Sequence, residues 1–211
     1  MNRARAVPRC PRCALHTPIC LCDTVQPLPT RTRVVVVMHF KEAQKQSNTG
    51  RLAPLCLADA QVRLRADREQ PLDLRDLADS TRRAVLLYPD PDAPVLDAHW
   101  AAADPRPVTL VVPDGNWRQT VRTCKREPAL ADLPRVRLPL GAPSSYRLRR
   151  HPDPARISTL EAIARAVGVL DGPAPQALLE RTLAVFVERT LWSRGTLPEA
   201  DVTGGIPRKD W

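Results

Sequence analysis

Arg33-Val34-Val35-Val36-Val37-Met38 lies between a Pro-rich stretch and the polar run His39-Phe40-Lys41-Glu42. Four successive valines are stiff at χ1 and favour extended backbone. An apolar run without alternation predicts a strand covered on both faces, as in the parallel sheets of α/β proteins. Two similar runs follow, residues 84–88 stopped by Pro89 and residues 107–112 stopped by Pro113. Residues 135–138 predict a fourth buried strand. Residues 61–65 alternate polar and apolar and suit a short or edge strand. Helices are predicted over 49–60 with Asn48 or Thr49 as cap, over about 116–127, over 158–170 and over 174–193. The third carries apolar Leu160, Ile163, Ala164 and Val167, the fourth Leu179, Leu183, Phe186 and Leu191. Residues 66–83 and 139–157 read as loops. Strands alternating with helices predict a mainly parallel sheet flanked by helices. Ligands of such sheets sit at the carboxyl ends of the strands, here the loops after Met38, Tyr88, Val112 and Leu138.

The 211 residues, 43% hydrophobic, suffice for one such domain over 33–211 with a Cys-rich appendage over 1–32. No apolar run approaches the ~18 residues of a membrane span, and no signal-peptide core is present, so a cytoplasmic location without a membrane partner is expected. The formal charge is +9, and its placement is informative. Residues 1–60 carry nine Lys/Arg against three Asp/Glu, and residues 114–150 again nine against three. The other two quarters are slightly acidic. An Arg-rich coding bias explains why only four of the 32 basic residues are Lys, but not their segregation. Clustered cations of this kind suit a nucleic-acid backbone.

Cys10, Cys13, Cys20 and Cys22 fall within 13 residues as C-x2-C-x6-C-x-C. Four thiolates so close can surround one tetrahedral Zn²⁺, leaving no open position, which predicts a structural role. A disulfide framework is the rival reading and needs an oxidising compartment; a redox pair is a third. His16 is a substitute ligand candidate. Cys56 and Cys124 fall on predicted helix faces and read as core.

Pro113-Asp114-Gly115-Asn116-Trp117 follows a buried strand and opens a helix. Gly115 permits close approach of a ligand, Asn116 can cap the helix, and Asp114 stands where a catalytic carboxylate, a ligand clamp or a simple capping group would stand. Along the helix, Trp117, Val121 and Cys124 recur at core spacing. Arg118, Arg122, Lys125 and Arg126 form an adjacent basic stripe suited to RNA backbone.

Taken in order, these motifs resemble the DTW-domain family, whose fold is related to the SPOUT-like S-adenosylmethionine enzymes. The resemblance runs from about Cys10 to Leu170. It is carried by the cysteine cluster, His39-Phe40-Lys41-Glu42, Asn48-Thr49-Gly50-Arg51-Leu52, Leu86-Leu87-Tyr88-Pro89, Asp114 to Trp117, and Ser158-Thr159-Leu160-Glu161-Ala162. Asn116 stands where the family usually has Thr; both residues cap helices and hydrogen-bond ligands.

The resemblance implies a SPOUT-like fold with a C-terminal knot, acting as a monomer or homodimer. It implies transfer of the 3-amino-3-carboxypropyl group of S-adenosylmethionine to N3 of a tRNA uridine, with release of methylthioadenosine. Asp114 and Trp117 would be catalytic, Asp114 as base, orienting group or ligand of the cosubstrate's amino group, Trp117 stacking on a base or packing the core. The cosubstrate would meet Leu87, Tyr88, Pro89, Gly115, Asn116, Leu138, Ser158, Thr159 and Glu161. RNA contacts are expected from His39, Lys41, Lys45, Arg51, Arg118, Arg122, Tyr146, Arg147 and Arg149. Three competing readings are an S-adenosylmethionine-dependent RNA methyltransferase, a zinc-containing RNA-binding protein without catalysis, and the same transfer with ribosomal RNA as substrate.

Overall fold

The structure is a computed structural model of the chain and describes residues 7–67, 69–148 and 157–207. Strands β1 (Arg33–His39), β2 (Ala60–Arg65), β3 (Arg83–Leu87), β4 (Val108–Asp114) and β5 (Arg135–Val136) form one sheet. Their order is β2-β1-β4-β3-β5, and every neighbouring pair is parallel. Residues 34–38 are each at most 1% exposed. Val34, Val36 and Met38 join Leu110, Val112 and Leu87 in a core shared with the C-terminal helices. Val35 and Val37 point the other way, toward Leu86, Val111, Cys124 and Leu130. The period of two in a strand places alternate valines in different cores, so the run has no polar face.

The helices are α1 (Phe40–Ala43), α2 (Ala53–Cys56), α3 (Ala98–Ala102), α4 (Trp117–Arg126), α5 (Pro128–Ala131), α6 (Thr159–Asp171) and α7 (Pro173–Ser193). Asn116 caps α4 and Ser158 caps α6, each in a reciprocal capping box, with Gln119 and Glu161 respectively. Gly172 adopts φ +94° between α6 and α7, a conformation a side chain would strain. The two helices then pack against one another, with Leu179, Leu183 and Phe186 buried.

The helix expected over 49–60 is not continuous. A 3-10 turn, Gly50–Leu52, leads into the single turn of α2, and the chain is extended by Leu57. Leu28 explains the break: its N–H donates to the Cys56 carbonyl, and its carbonyl accepts from Ala58. Tertiary pairing thus claims the backbone groups that the next helical turn needs. The expected strand over 135–138 is also short, because Arg137 pairs its backbone with Pro94 and Leu96 instead.

Candidate active site

A cavity of about 600 Å³ opens at the carboxyl edge of the sheet. Its walls are residues 87–91 after β3, Val112, Pro113, Gly115, Trp117 and Thr120 around the start of α4, residues 137–142 after β5, and Ile157, Ser158, Thr159, Ala162 and Arg165 at the start of α6. Seven of the residues expected to hold the cosubstrate therefore line one cavity: Leu87, Tyr88, Pro89, Gly115, Leu138, Ser158 and Thr159. Asn116 and Glu161 are not among its lining residues. Their side chains are occupied in the two capping boxes.

Asp114 ends β4 behind this cavity and is 9% exposed. Its Oδ2 accepts a hydrogen bond from Asn48 Nδ2 at 2.6 Å, and its Oδ1 one from Thr159 Oγ1 at 2.7 Å. Gly50 lies against the carboxylate so closely that a Cβ there would stand 2.5 Å from Oδ2. Thr49 Oγ1 accepts from the Leu160 amide at 3.3 Å. One buried carboxylate thus ties together three segments distant in sequence: 48–51, 114–117 and 158–161. The cavity lining includes Thr159 and Gly115, both adjacent to Asp114 in this network, but not Asp114 itself.

Glu161 has a comparable task. It accepts from Ser158 N, Ser144 Oγ, Ser145 N and Ser145 Oγ at 2.7–3.0 Å. Burial pushes its carboxyl upward, but these donors outweigh burial and hold it below the usual carboxylate range. The loop after β5 is thereby pinned to α6. The spacing Ser158-Thr159-Leu160-Glu161 is itself a capping-box signal in the sequence.

Trp117 corrects one expectation. Core spacing put it inside with Val121 and Cys124, yet it is 46% exposed while Cys124 is 3% exposed. Trp117 opens α4 just after the carboxyl end of β4 and lines the cavity mouth. Trp117 stacks instead on Tyr88, with ring centroids 5.8 Å apart and planes at 21°. The Arg135 guanidinium lies 5.3 Å over the other aromatic, Tyr88, and pairs with Asp90 at 2.7 Å. That pairing holds the Asp90 carboxyl below its ordinary range.

The cations expected to meet RNA fall into two groups. Arg118, Arg122, Lys125 and Arg126 are exposed along α4, and Lys41, Lys45 and Arg147 are exposed elsewhere. Arg51 is half-buried, and its guanidinium donates to the carbonyls of Ala43 and Lys45. Burial lowers its pKa against the opposing pull of Asp114. His39 is half-buried too, and its Nδ1 accepts from Lys41 N as the cap of α1. The Tyr146 hydroxyl donates to the Ser47 carbonyl at 2.5 Å, bracing the loop against the 48–51 turn. Arg149 lies outside the described residues.

The four clustered cysteines are free thiols whose sulfurs all lie within 4.8 Å of one another. Cys10–Cys22 and Cys13–Cys20 are both at 3.7 Å. A tetrahedron with arms of about 2.3 Å has edges of about 3.8 Å, so the donor set fits one metal ion. His16 is turned elsewhere, to Arg9 and the Val7 carbonyl. Leu15, Ile19 and Leu21 around the cluster are buried in the same core as α7. Arg189 of α7 is 3% exposed, and its Nη1 donates to the carbonyls of Ile19 and Cys20 at 3.2 and 2.9 Å. Among the described residues no carboxylate pairs with it, and its Nε has no hydrogen-bond partner. A four-thiolate zinc site carries a net negative charge, which such a buried cation offsets. Sequence reading missed Arg189 because nothing local marks it.

The DTW domain profile matches residues 7–191. Over 174 residues the chain is 28% identical to the tRNA-uridine aminocarboxypropyltransferase 2 of Macaca fascicularis, covering 80% of this chain and 58% of that protein. It is 28% identical to the enzyme of the same name in Drosophila melanogaster, covering 77% and 66%. With the tRNA-uridine aminocarboxypropyltransferase A of Arabidopsis thaliana it shares 24% identity, covering 85% and 78%. The chain thus spans less than two thirds of the first two relatives. The solved structure of the SAM-dependent rRNA:acp-transferase Tsr3 from Vulcanisaeta distributa gives a TM-score of 0.48 at 18% identity, covering 77% of this chain and 79% of that one. Because the DTW domain profile matches residues 7–191, most of its length, the chain belongs to the DTW-domain family.

Proposed function

We propose that this protein transfers the 3-amino-3-carboxypropyl group of S-adenosylmethionine to N3 of a tRNA uridine, releasing methylthioadenosine. The observation that carries the reading is the cavity at the carboxyl ends of β3, β4 and β5, in a chain similar over most of its length to proteins that bear this name. In the reaction, the N3–Cγ bond forms as the Cγ–S bond breaks. The bonding pair stays on sulfur, which becomes a neutral thioether, and the N3 proton passes to water. A methyltransferase would aim the methyl carbon of the same sulfonium, so alignment decides the product.

On this reading Asp114 is a positioning residue. Both carboxylate oxygens are engaged, by Asn48 and Thr159, and the group holds Thr159 and the 114–117 turn in the cavity wall. Asp90, the one carboxylate among the described lining residues, is held by Arg135 well below the range of an effective base. Trp117, exposed and stacked on Tyr88 at the rim, offers an aromatic face to an unstacked base. Arg118 and Arg122, with Lys41, Lys45 and Arg147, would follow the RNA backbone. Arg51, whose Nη2 is spent on the Ala43 and Lys45 carbonyls, and Tyr146, whose hydroxyl is spent on Ser47, would support the site from behind.

The four-cysteine group would hold Zn²⁺ in a structural role, and its net negative charge would answer the Arg189 guanidinium, which meets no carboxylate among the described residues. The same reading keeps the 1–32 appendage and the 33–211 catalytic body, the knot expected of SPOUT-like enzymes, a monomer or homodimer, and action in the cytoplasm. No helix among the described residues is long and apolar enough to cross a membrane.

The test is incubation with S-adenosylmethionine and unmodified tRNA, followed by mass spectrometry of nucleosides and small molecules. A uridine carrying an aminocarboxypropyl group, with methylthioadenosine released, is the expected result. A methylated nucleoside with S-adenosylhomocysteine would move the function to the methyltransferase reading. No product from competent tRNA would leave ribosomal RNA as the substrate, or a binding protein without catalysis.

A further inference from the structure

The transferred group carries an α-carboxylate, which a cation lining the cavity would bind. Among the described residues lining the cavity, the cations are Arg137 and Arg165. Arg137 uses its Nε on the Ala93 carbonyl at 3.0 Å, and its backbone is paired on both sides. Arg165 lies about one turn beyond Ala162 and about two beyond Thr159 on α6, and the 159, 162, 165 spacing sets all three on the face that lines the cavity. Its Nη2 donates to the Ala142 carbonyl at 2.6 Å, which orients the guanidinium across the loop after β5. Among the described residues no carboxylate pairs with it. Gly141 makes room: a Cβ there would stand 2.7 Å from Nη1. The loop is thus shaped around a guanidinium that is fixed at one nitrogen and has donors to spare.

We infer that Arg165 binds the α-carboxylate of the aminocarboxypropyl group, and so is a specificity-determining residue for which carbon of the sulfonium is presented. The inference rests on the proposed use of S-adenosylmethionine. A planar guanidinium already held by one carbonyl still presents N–H donors to a carboxylate, with little rotamer freedom left to lose. The coproduct methylthioadenosine has no carboxylate. Arg165 therefore holds the cosubstrate without holding the spent nucleoside, which favours release after transfer.

The test is calorimetric binding of three ligands to the full-length protein: S-adenosylmethionine, its decarboxylated analogue and methylthioadenosine. The wild type should bind S-adenosylmethionine about tenfold or more tightly than the decarboxylated analogue. Arg165→Gln should lose that preference while keeping its affinity for methylthioadenosine, which also serves as the control for folding. Arg165→Lys should keep part of the preference. Equal affinities for the first two ligands in the wild type would overturn the inference even if Arg165→Gln failed to fold. So would an unchanged preference in Arg165→Gln, or a loss that follows Arg137→Gln instead. In those cases the proposed function stands if all nucleosides still bind. A wild type that binds none of the three overturns both.

Discussion

Replacing Asp114 by Asn and by Ala separates a carboxylate that positions from one that takes a proton. In Asp114→Asn the shape is kept. The amide oxygen can accept from Asn48 Nδ2, and the amide nitrogen can donate to Thr159, whose hydroxyl reverses to accept. Both contacts survive as neutral hydrogen bonds, at a cost of about 1–2 kcal/mol for the lost charge assistance. For a chain of this size that lowers the melting temperature by roughly 2–8 °C. In Asp114→Ala the 3%-exposed Asn48 amide loses its acceptor, and Thr159 loses its anchor. Each orphaned group costs about 1–3 kcal/mol, and the half-buried Arg51 loses a nearby opposite charge, so a fall of about 3–5 kcal/mol is expected. The assays are thermal unfolding, cosubstrate binding and single-turnover transfer to tRNA. Asp114→Asn should keep turnover within about tenfold of wild type, ~1.4 kcal/mol, while Asp114→Ala loses stability, binding and turnover together. An Asp114→Asn protein that melts like wild type and binds the cosubstrate, yet turns over more than about a hundredfold more slowly, would refute the positioning argument. The carboxylate charge would then act on the substrate itself.

Gly50→Ala should be as harmful as a change inside the cavity, because its Cβ would stand 2.5 Å from Asp114 Oδ2 and 3.2 Å from Val36 Cγ1. Overpacking of this kind costs about 1–3 kcal/mol, readable by chemical denaturation. Glu161 is held below its ordinary pKa, so its contribution to stability is full above about pH 4.3 and is lost as pH falls further through the folded-state value. Glu161→Gln should lower stability at neutral pH and flatten that acid limb, as followed by unfolding midpoints across pH. Metal analysis should find one zinc per chain, with chelation or Cys13→Ser lowering the melting temperature. Arg189→Met should destabilise the zinc-loaded protein more than the stripped one, because its charge is matched only when the four thiolates hold the ion; equal effects in both would contradict that pairing. Paired Arg118→Ala and Arg122→Ala changes should weaken tRNA binding and reduce the slope of log affinity against log salt by about one per lost phosphate contact.

The carboxyl edge of the sheet explains why the candidate site was partly readable in advance. Residues 34–38, 85–87 and 110–112 are apolar without a break because both faces of each strand are buried, so the strands and the loops that follow them were visible in the chain. The Asn116 cap and the long amphipathic α6 were equally local. By contrast, the helix expected over 49–60 was undone by Leu28, and the inward Trp117 gave way to an exposed ring stacked on Tyr88. Neither partner is near in sequence.

The sequence alone determined what depends on near neighbours. These features are the buried parallel strands, the cysteine spacing that fits a metal, the glycine and cap at the head of α4, and the segregation of positive charge. Tertiary structure decided how the polar side chains are spent. Asp114 turns to Asn48 and Thr159, 66 and 45 residues away, and Arg189 turns to the cysteine knuckle 169 residues away. The reason is physical: a buried polar group must find a partner wherever the fold brings one within hydrogen-bond reach, and that choice leaves no periodicity or spacing in the chain.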